Sequence, residues 1–196
     1  MNLVERAKNI IMTPKTEWHV IEGETPNIGQ IMTGYVLPLS LIPAVAKIIG
    51  LAFIGGVLSV SYSIASGVVT FVVAVLSVYL VAYVIDFLAP NFGSQKNLGR
   101  AFQLVAYSST PGWVAGVFYA VPMLGWLAML ASLYGLYVMY LGLPVMMKTP
   151  QDKVVLFLIV AVIAIFIVYA VVGGILSAIL SGIFGLGALG TMGGWF

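Results

Sequence analysis

The chain has no cysteine, a single histidine and very little charge. Without Cys there is no disulfide, no thiolate nucleophile and no thiolate metal site. A lone His19 offers neither a histidine metal cluster nor the base of a Ser–His triad. The net charge is only +2, so no nucleic-acid footprint is expected. No secretory leader is expected either. Glu5, Arg6 and Lys8 are followed only by Ile10-Ile11-Met12 before Thr13-Pro14, short of the 7–15-residue apolar core such leaders carry, so the mature chain is expected to start at Met1. The scarcity of charge decides the class. Asp, Glu, Lys and Arg make up 7% of 196 residues, against about 25% in ordinary soluble domains. So few charges cannot solvate the surface of a globule this size, and lipid is expected as its solvent.

What is present is apolar length. Hydrophobic residues are 62% of the chain. Five stretches reach the roughly 20 residues a bilayer crossing needs, near 33–57, 64–88, 101–121, 124–147 and 154–181. The expected fold is an all-α integral membrane protein: five transmembrane helices with proline kinks, preceded by N-terminal interfacial amphipathic helices. Residues 1–30 form the cytoplasmic or interfacial segment, 31–182 the bundle and 183–196 an external tail. The first stretch, about 37 Å long, exceeds the ~30 Å hydrocarbon core, and Pro38 and Pro43 offer it kinks. Basic residues set the orientation. Arg6, Lys8 and Lys15 precede the first span, Lys96 and Arg100 lie in the second loop, and Lys148 and Lys153 in the fourth. With five spans these fall on one side, which predicts a cytoplasmic N-terminus and an external, periplasmic C-terminus in an inner membrane.

Within the first thirty residues, Leu3, Ala7, Ile10 and Ile11 recur at helical spacing, opposite Glu5, Arg6, Lys8 and Asn9. Thr13 is expected to cap a second helix with Pro14 at its first position, and Trp18 to sit at headgroup level. The tail from Gly182 is Gly-rich and uncharged, and mobility is expected there.

Several residues stand out as intramembrane polar candidates. Lys47 lies about 14 residues, roughly 20 Å, into the first span, where a charge costs several kcal/mol. It either snorkels toward the outer interface or serves a buried pair or water-filled cavity. Asp86, near the end of the second span, is too distant in depth to pair with it. Asp86 reads as an interfacial acid meeting Lys96, Arg100 or the bent chain at Ala89-Pro90, with an ion or proton role as the other reading. Pro111 frees the Tyr107 carbonyl and Pro144 that of Tyr140, and Ser108, Ser109 and Thr110 stand ready to satisfy the break. Tyr79, Tyr83, Tyr134, Tyr137 and Tyr140 fall inside spans, so their phenols are expected to face the bundle interior, with Tyr107 and Tyr140 sharing a polar cluster with the freed carbonyls. Gly112 and Gly116 form one small-residue ridge; Gly173, Ser177 and Ser181, with Gly174, Ala178 and Gly182, form others, for internal packing or a homo-oligomer face.

Ordered sequence pieces carry a family resemblance. They are Thr13-Pro14-Lys15-Thr16-Glu17-Trp18, Gly34-Tyr35-Val36-Leu37-Pro38, Asp86-Phe87-Leu88-Ala89-Pro90-Asn91-Phe92-Gly93, Ala106-Tyr107-Ser108-Ser109-Thr110-Pro111-Gly112-Trp113 and Tyr134 to Leu143. Together they resemble the Yip1 family, whose domain has five spans and a cytoplasmic N-terminus, and the chain looks like its short bacterial members. The resemblance implies a role in membrane organisation or traffic; eukaryotic relatives are implied to bind prenylated Rab GTPases through a longer N-terminal region. It supplies no catalytic residue.

The expected function is therefore non-enzymatic, with no metal, cofactor or nucleic acid. A kinked bundle would hold a lipid, or a lipidated or membrane protein partner, near Tyr107, Pro111, Trp113, Tyr137 and Tyr140. The alternative is a small oligomeric channel or transporter using Lys47, Asp86 and the proline-broken helices.

Overall fold

Asn2 opens the first helix by accepting a hydrogen bond from the Val4 amide at 3.1 Å. This helix, α1 (Leu3–Met12), turns its Arg6–Ala7–Ile10 face inward. It ends at Thr13, whose amide and hydroxyl both donate to the Asn9 carbonyl. Thr13 thus closes α1 and makes no side-chain cap on α2 (Pro14–Glu22), contrary to the capping role read from its position. Pro14, fixed in φ and lacking an amide proton, starts α2 instead. The structure, a computed structural model, describes residues 2–54 and 60–183, and among them there is no β-strand. The Gly-rich tail lies almost wholly outside the described residues.

Among the described residues four helical segments are long and apolar enough to cross a membrane: Ile28–Phe53, Val60–Phe92, Pro122–Met146 and Val154–Ile183. The first is composite. A short α3 (Ile28–Ile31), capped by the Asn27 side chain, passes into a π-helical turn (Met32–Val36), then α4 (Leu37–Ile49), then a second π turn (Gly50–Ile54). The first π turn ends two residues before Pro38, where a proline would otherwise remove a regular α-helical bond. The helix runs on through Pro43. Next come α5 (Val60–Leu88) and a 3-10 turn (Ala89–Phe92), closed by Gly93 at φ +68°, in the left-handed region that suits glycine. Then follow α6 (Leu98–Ser108), α7 (Thr110–Ala115) and a 3-10 turn (Gly116–Ala120). After a short turn at Pro122–Leu124 come α8 (Gly125–Met146), continuous through Pro144, and α9 (Val154–Ile183).

The stretch expected as the third span is thus not one helix. It breaks at Ser109, where the Ser109 hydroxyl donates to the Val105 carbonyl at 2.8 Å and Pro111 occupies the first turn of the next helix. Its first half is the centre of the molecule: residues 101 to 108 of α6 are all buried. Around α6 lie α5, α8 and the N-terminal helices, while α9 packs on α5 and α8 from outside. The Phe92 ring stacks on Phe157 at 4.5 Å and fixes the near end of α9.

Close helix approach is carried by glycines. A Cβ on Gly116 would stand 2.6 Å from the Pro43 Cβ, and one on Gly112 would stand 2.8 Å from the Ser132 hydroxyl oxygen. That ridge therefore serves internal packing. The α9 glycines differ: Gly173, Gly174 and Gly182 meet nothing within 4 Å. Opposite signs are expected from the same substitution. Gly116→Ala should destabilise by about 1–3 kcal/mol through overpacking, whereas Gly174→Ala should stabilise by about 0.4–1 kcal/mol. Thermal unfolding of the purified variants in detergent reads both, and equal shifts would contradict this packing.

Candidate functional site

The N-terminal helices do not lie beside the bundle; they plug into it. On α2, Pro14, Glu17, Trp18 and Ile21 share one helical face, and all are buried. Trp18 is fully buried and donates its indole N–H to the Val138 carbonyl at 2.9 Å. The headgroup placement expected for Trp18 is corrected here: α8 leaves a slot for the ring, and the carbonyl satisfies its one donor. That slot exists because residue 142 is glycine; a Cβ there would come within 2.6 Å of Trp18 and of Leu104. A second glycine one heptad earlier, Gly135, lets the Ser108 carbonyl approach α8.

Arg6 reaches inward from α1. It is buried and donates to Glu17 at 2.6 Å, and its other terminal nitrogen pairs with Glu24. Its guanidinium stands 5.5 Å from the centre of the Tyr107 ring. Tyr107 in turn meets Trp18 edge-on at 6.3 Å and Tyr35 at 4.8 Å. The Tyr35 hydroxyl shares a 2.7 Å hydrogen bond with Thr110, so the break before Pro111 is tied to the first span. Beside this cluster a cavity of about 390 Å³ opens between α1, the α2–α3 link, the first π turn and α6. Arg6, Glu24, Asn27, Gln30, Gln103 and Tyr107 give it polar walls.

The same end is laced by further contacts. Arg100 donates to the Ile21 carbonyl at 3.1 Å and the Glu22 carbonyl at 2.9 Å, and so closes the α2 C-terminus. Lys148 pairs with Glu22. The Glu22 carboxyl is held below the usual carboxylate range, chiefly by its hydrogen bond from Lys148 and then by His19. The Gln95 amide donates to the Met147 carbonyl at 2.8 Å, and the Ser94 hydroxyl to Thr149 at 2.9 Å.

Of the candidates read from sequence, Tyr107, Pro111 and Trp113 are buried around α6 and α7. Tyr137 and Tyr140 are not with them: both lie on the exposed side of α8. Tyr79 and Tyr83 are exposed on α5, and Tyr134 is exposed while its hydroxyl donates to the Ile11 carbonyl at 2.7 Å. The interior placement expected for these five tyrosines fails because α8 gives its inward face to Gly135, Val138, Met139 and Gly142, which admit close neighbours. Asp86 is 6% exposed and meets neither Lys96 nor Arg100; its Oδ1 has no hydrogen-bond partner. Lys47 is half-buried, far from Asp86, and lines a second cavity.

Sequence reasoning missed Arg6, Glu17, Glu24, Tyr35 and Gln103 as site residues. A signal was present: Glu17 sits within the apolar i, i+3, i+4, i+7 face of α2, and Arg6 is only about 40° around the helix from Ile10. A charge inside each of two facing apolar stripes is the pattern of a buried pair.

Residues 8–173 match the Yip1 domain family. Over 152 residues the chain is 27% identical to "Inner membrane protein YohC" of Escherichia coli K12, covering 71% of this chain and 77% of that protein. The YohC protein of Escherichia coli O6:H1 (strain CFT073) matches with the same identity and coverage. No solved structure matches significantly.

Removing one partner of a buried pair leaves the other charge uncompensated. Arg6→Met is expected to destabilise by about 3–5 kcal/mol, and the double variant Arg6→Met with Glu17→Leu to regain most of that loss. Chemical denaturation of the single and double variants measures the coupling; losses that simply add would mean the two charges do not depend on each other.

Proposed function

The chain belongs to the Yip1 domain family, and from that premise we propose a non-enzymatic membrane protein of binding or scaffold type, in the inner membrane like its YohC relatives. In this reading the broken segment 98–120 is a fifth crossing, since its helical pieces laid end to end reach about 35 Å, enough for a ~30 Å core. The N-terminus is then cytoplasmic and the C-terminus periplasmic. The gathering of Arg6, Arg100 and Lys148 around α2 supports this, since basic residues accumulate on the cytoplasmic side.

One observation carries the binding role: a polar-walled cavity of about 390 Å³ at the charge-rich end of an otherwise apolar bundle. Its chemistry narrows the occupant. Arg6 is already committed to Glu17 and Glu24, so these three groups sum to one negative charge. Such a site suits a neutral or ammonium-bearing polar head and disfavours a bare anion. A lipid head, free or carried by a lipidated or membrane partner, fits it. The open small-residue face of α9, including Gly173, Ser177 and Ser181, supports a second copy as neighbour. Native mass spectrometry of delipidated protein titrated with phosphatidylethanolamine tests the reading. Gln103→Leu combined with Tyr107→Phe should weaken the first bound lipid about thirtyfold, at roughly 1 kcal/mol per lost hydrogen bond. Unchanged binding would count against the cavity as the site.

A second reading, a small channel or transporter, rests on Asp86, because a buried carboxylate oxygen without a partner is a candidate ion or proton site. It requires an ion or proton flux in proteoliposomes that Asp86→Asn abolishes; a flux identical in both proteins removes its support.

A further inference from the structure

At the end of the bundle away from the N-terminal helices, a second cavity of about 380 Å³ lies between the first two long segments and the turn before α8. Lys47 and Leu51 line it from α4 and its π turn, Thr70 from α5, and Tyr119 and Pro122 from the turn. Lys47 forms no ion pair among the described residues. The sequence offers no carboxylate side chain to this end: Glu5, Glu17, Glu22 and Glu24 belong to the N-terminal segment, and Asp152 to the link between α8 and α9. Asp86 lies on the same helix as Thr70 but 16 residues further along, about 24 Å away. An ammonium among mostly apolar walls at membrane depth is costly unless an anion joins it.

We propose that this cavity binds the phosphate of a membrane phospholipid, with the Lys47 ammonium as its counter-charge. Two features select the lipid over free phosphate. The cavity has one cation and no ring of donors, whereas inorganic phosphate, more heavily hydrated, needs several. Its remaining walls, chiefly Leu51 and Pro122 with the Tyr119 side chain, suit the glycerol and the start of an acyl chain rather than water. Thr70 already spends its hydroxyl proton on the Ser66 carbonyl and so offers the phosphate no hydrogen. The site is independent of the polar cavity at the other end and of whatever that cavity holds.

The test uses the purified full chain, delipidated, as wild type, Lys47→Met and Lys47→Arg, each titrated with phosphatidylglycerol, with diacylglycerol of the same chains, and with inorganic phosphate. For the first bound phosphatidylglycerol, Lys47→Met should weaken affinity at least tenfold and Lys47→Arg less than threefold. Diacylglycerol should bind wild type as weakly as phosphatidylglycerol binds Lys47→Met. Millimolar inorganic phosphate should not displace the lipid. Thermal unfolding guards against a misfolded variant: without lipid, Lys47→Met should melt no lower than wild type, and phosphatidylglycerol should raise only the wild-type and Lys47→Arg transitions. Equal affinity of wild type and Lys47→Met overturns the proposal. Full competition by inorganic phosphate overturns the lipid as the source of the anion, and a Lys47→Met protein that unfolds without lipid overturns the view that this lysine serves a ligand rather than the fold.

Discussion

The buried pairing of Arg6 with Glu17 is the constraint from which the charge-rich end of the molecule follows. Taking these groups out of water costs several kcal/mol each, and only close, hydrogen-bonded contact offsets it. The contact forms because two short helices, α1 and α2, fold back on each other and turn their charges to a common interior. With Arg6 held, Tyr107 packs beneath its guanidinium, Tyr35 packs on Tyr107, and Thr110 is bound by Tyr35. A single ion pair in the N-terminal segment thereby reaches the helix break in the middle of the chain.

Much of the architecture was legible from sequence. Four of the five apolar stretches expected to cross fall on helices long and apolar enough to do so, and Pro14 opens α2 at the position expected. These features depend on local chemistry, which spacing reports directly. What was hidden depends on partners distant in sequence. Trp18 looked interfacial because an amphipathic helix looks the same whether its apolar face meets lipid or protein. The tyrosines of α5 and α8 looked interior because hydropathy reports depth along a span and says little about rotation around it. Asp86 was assigned neighbours by proximity along the chain, yet Arg100 turned to the carbonyls at the end of α2.

The broken segment and the glycines explain each other. An unbroken helix from residue 98 to 120 would project the Tyr107–Trp113 region along one axis. The interruption at Ser109 lets α6 be enclosed on all sides while α7 approaches α4 and α8. Enclosure at such short range requires missing Cβ atoms, supplied at Gly112, Gly116, Gly135 and Gly142. The two cavities then sit at opposite ends of this close-packed middle and differ in kind. One is polar-walled with its arginine already paired, and the other is largely apolar with a lysine that forms no ion pair among the described residues.

The bond from the Trp18 indole to the Val138 carbonyl joins residues 120 positions apart, and that from Tyr134 to Ile11 joins residues 123 apart. The first helices made are therefore seated by nearly the last. At 5–20 residues per second, synthesis leaves α2 without its socket for about 6–24 s. Throughout that interval its Trp18 face must rest on something other than α8, and the membrane surface is the apolar ground at hand. The amphipathic pattern that misleads a reader about where these helices end up describes well where they wait. Docking of the hairpin is then a closing step of biogenesis, available only to chains whose later helices have been threaded correctly.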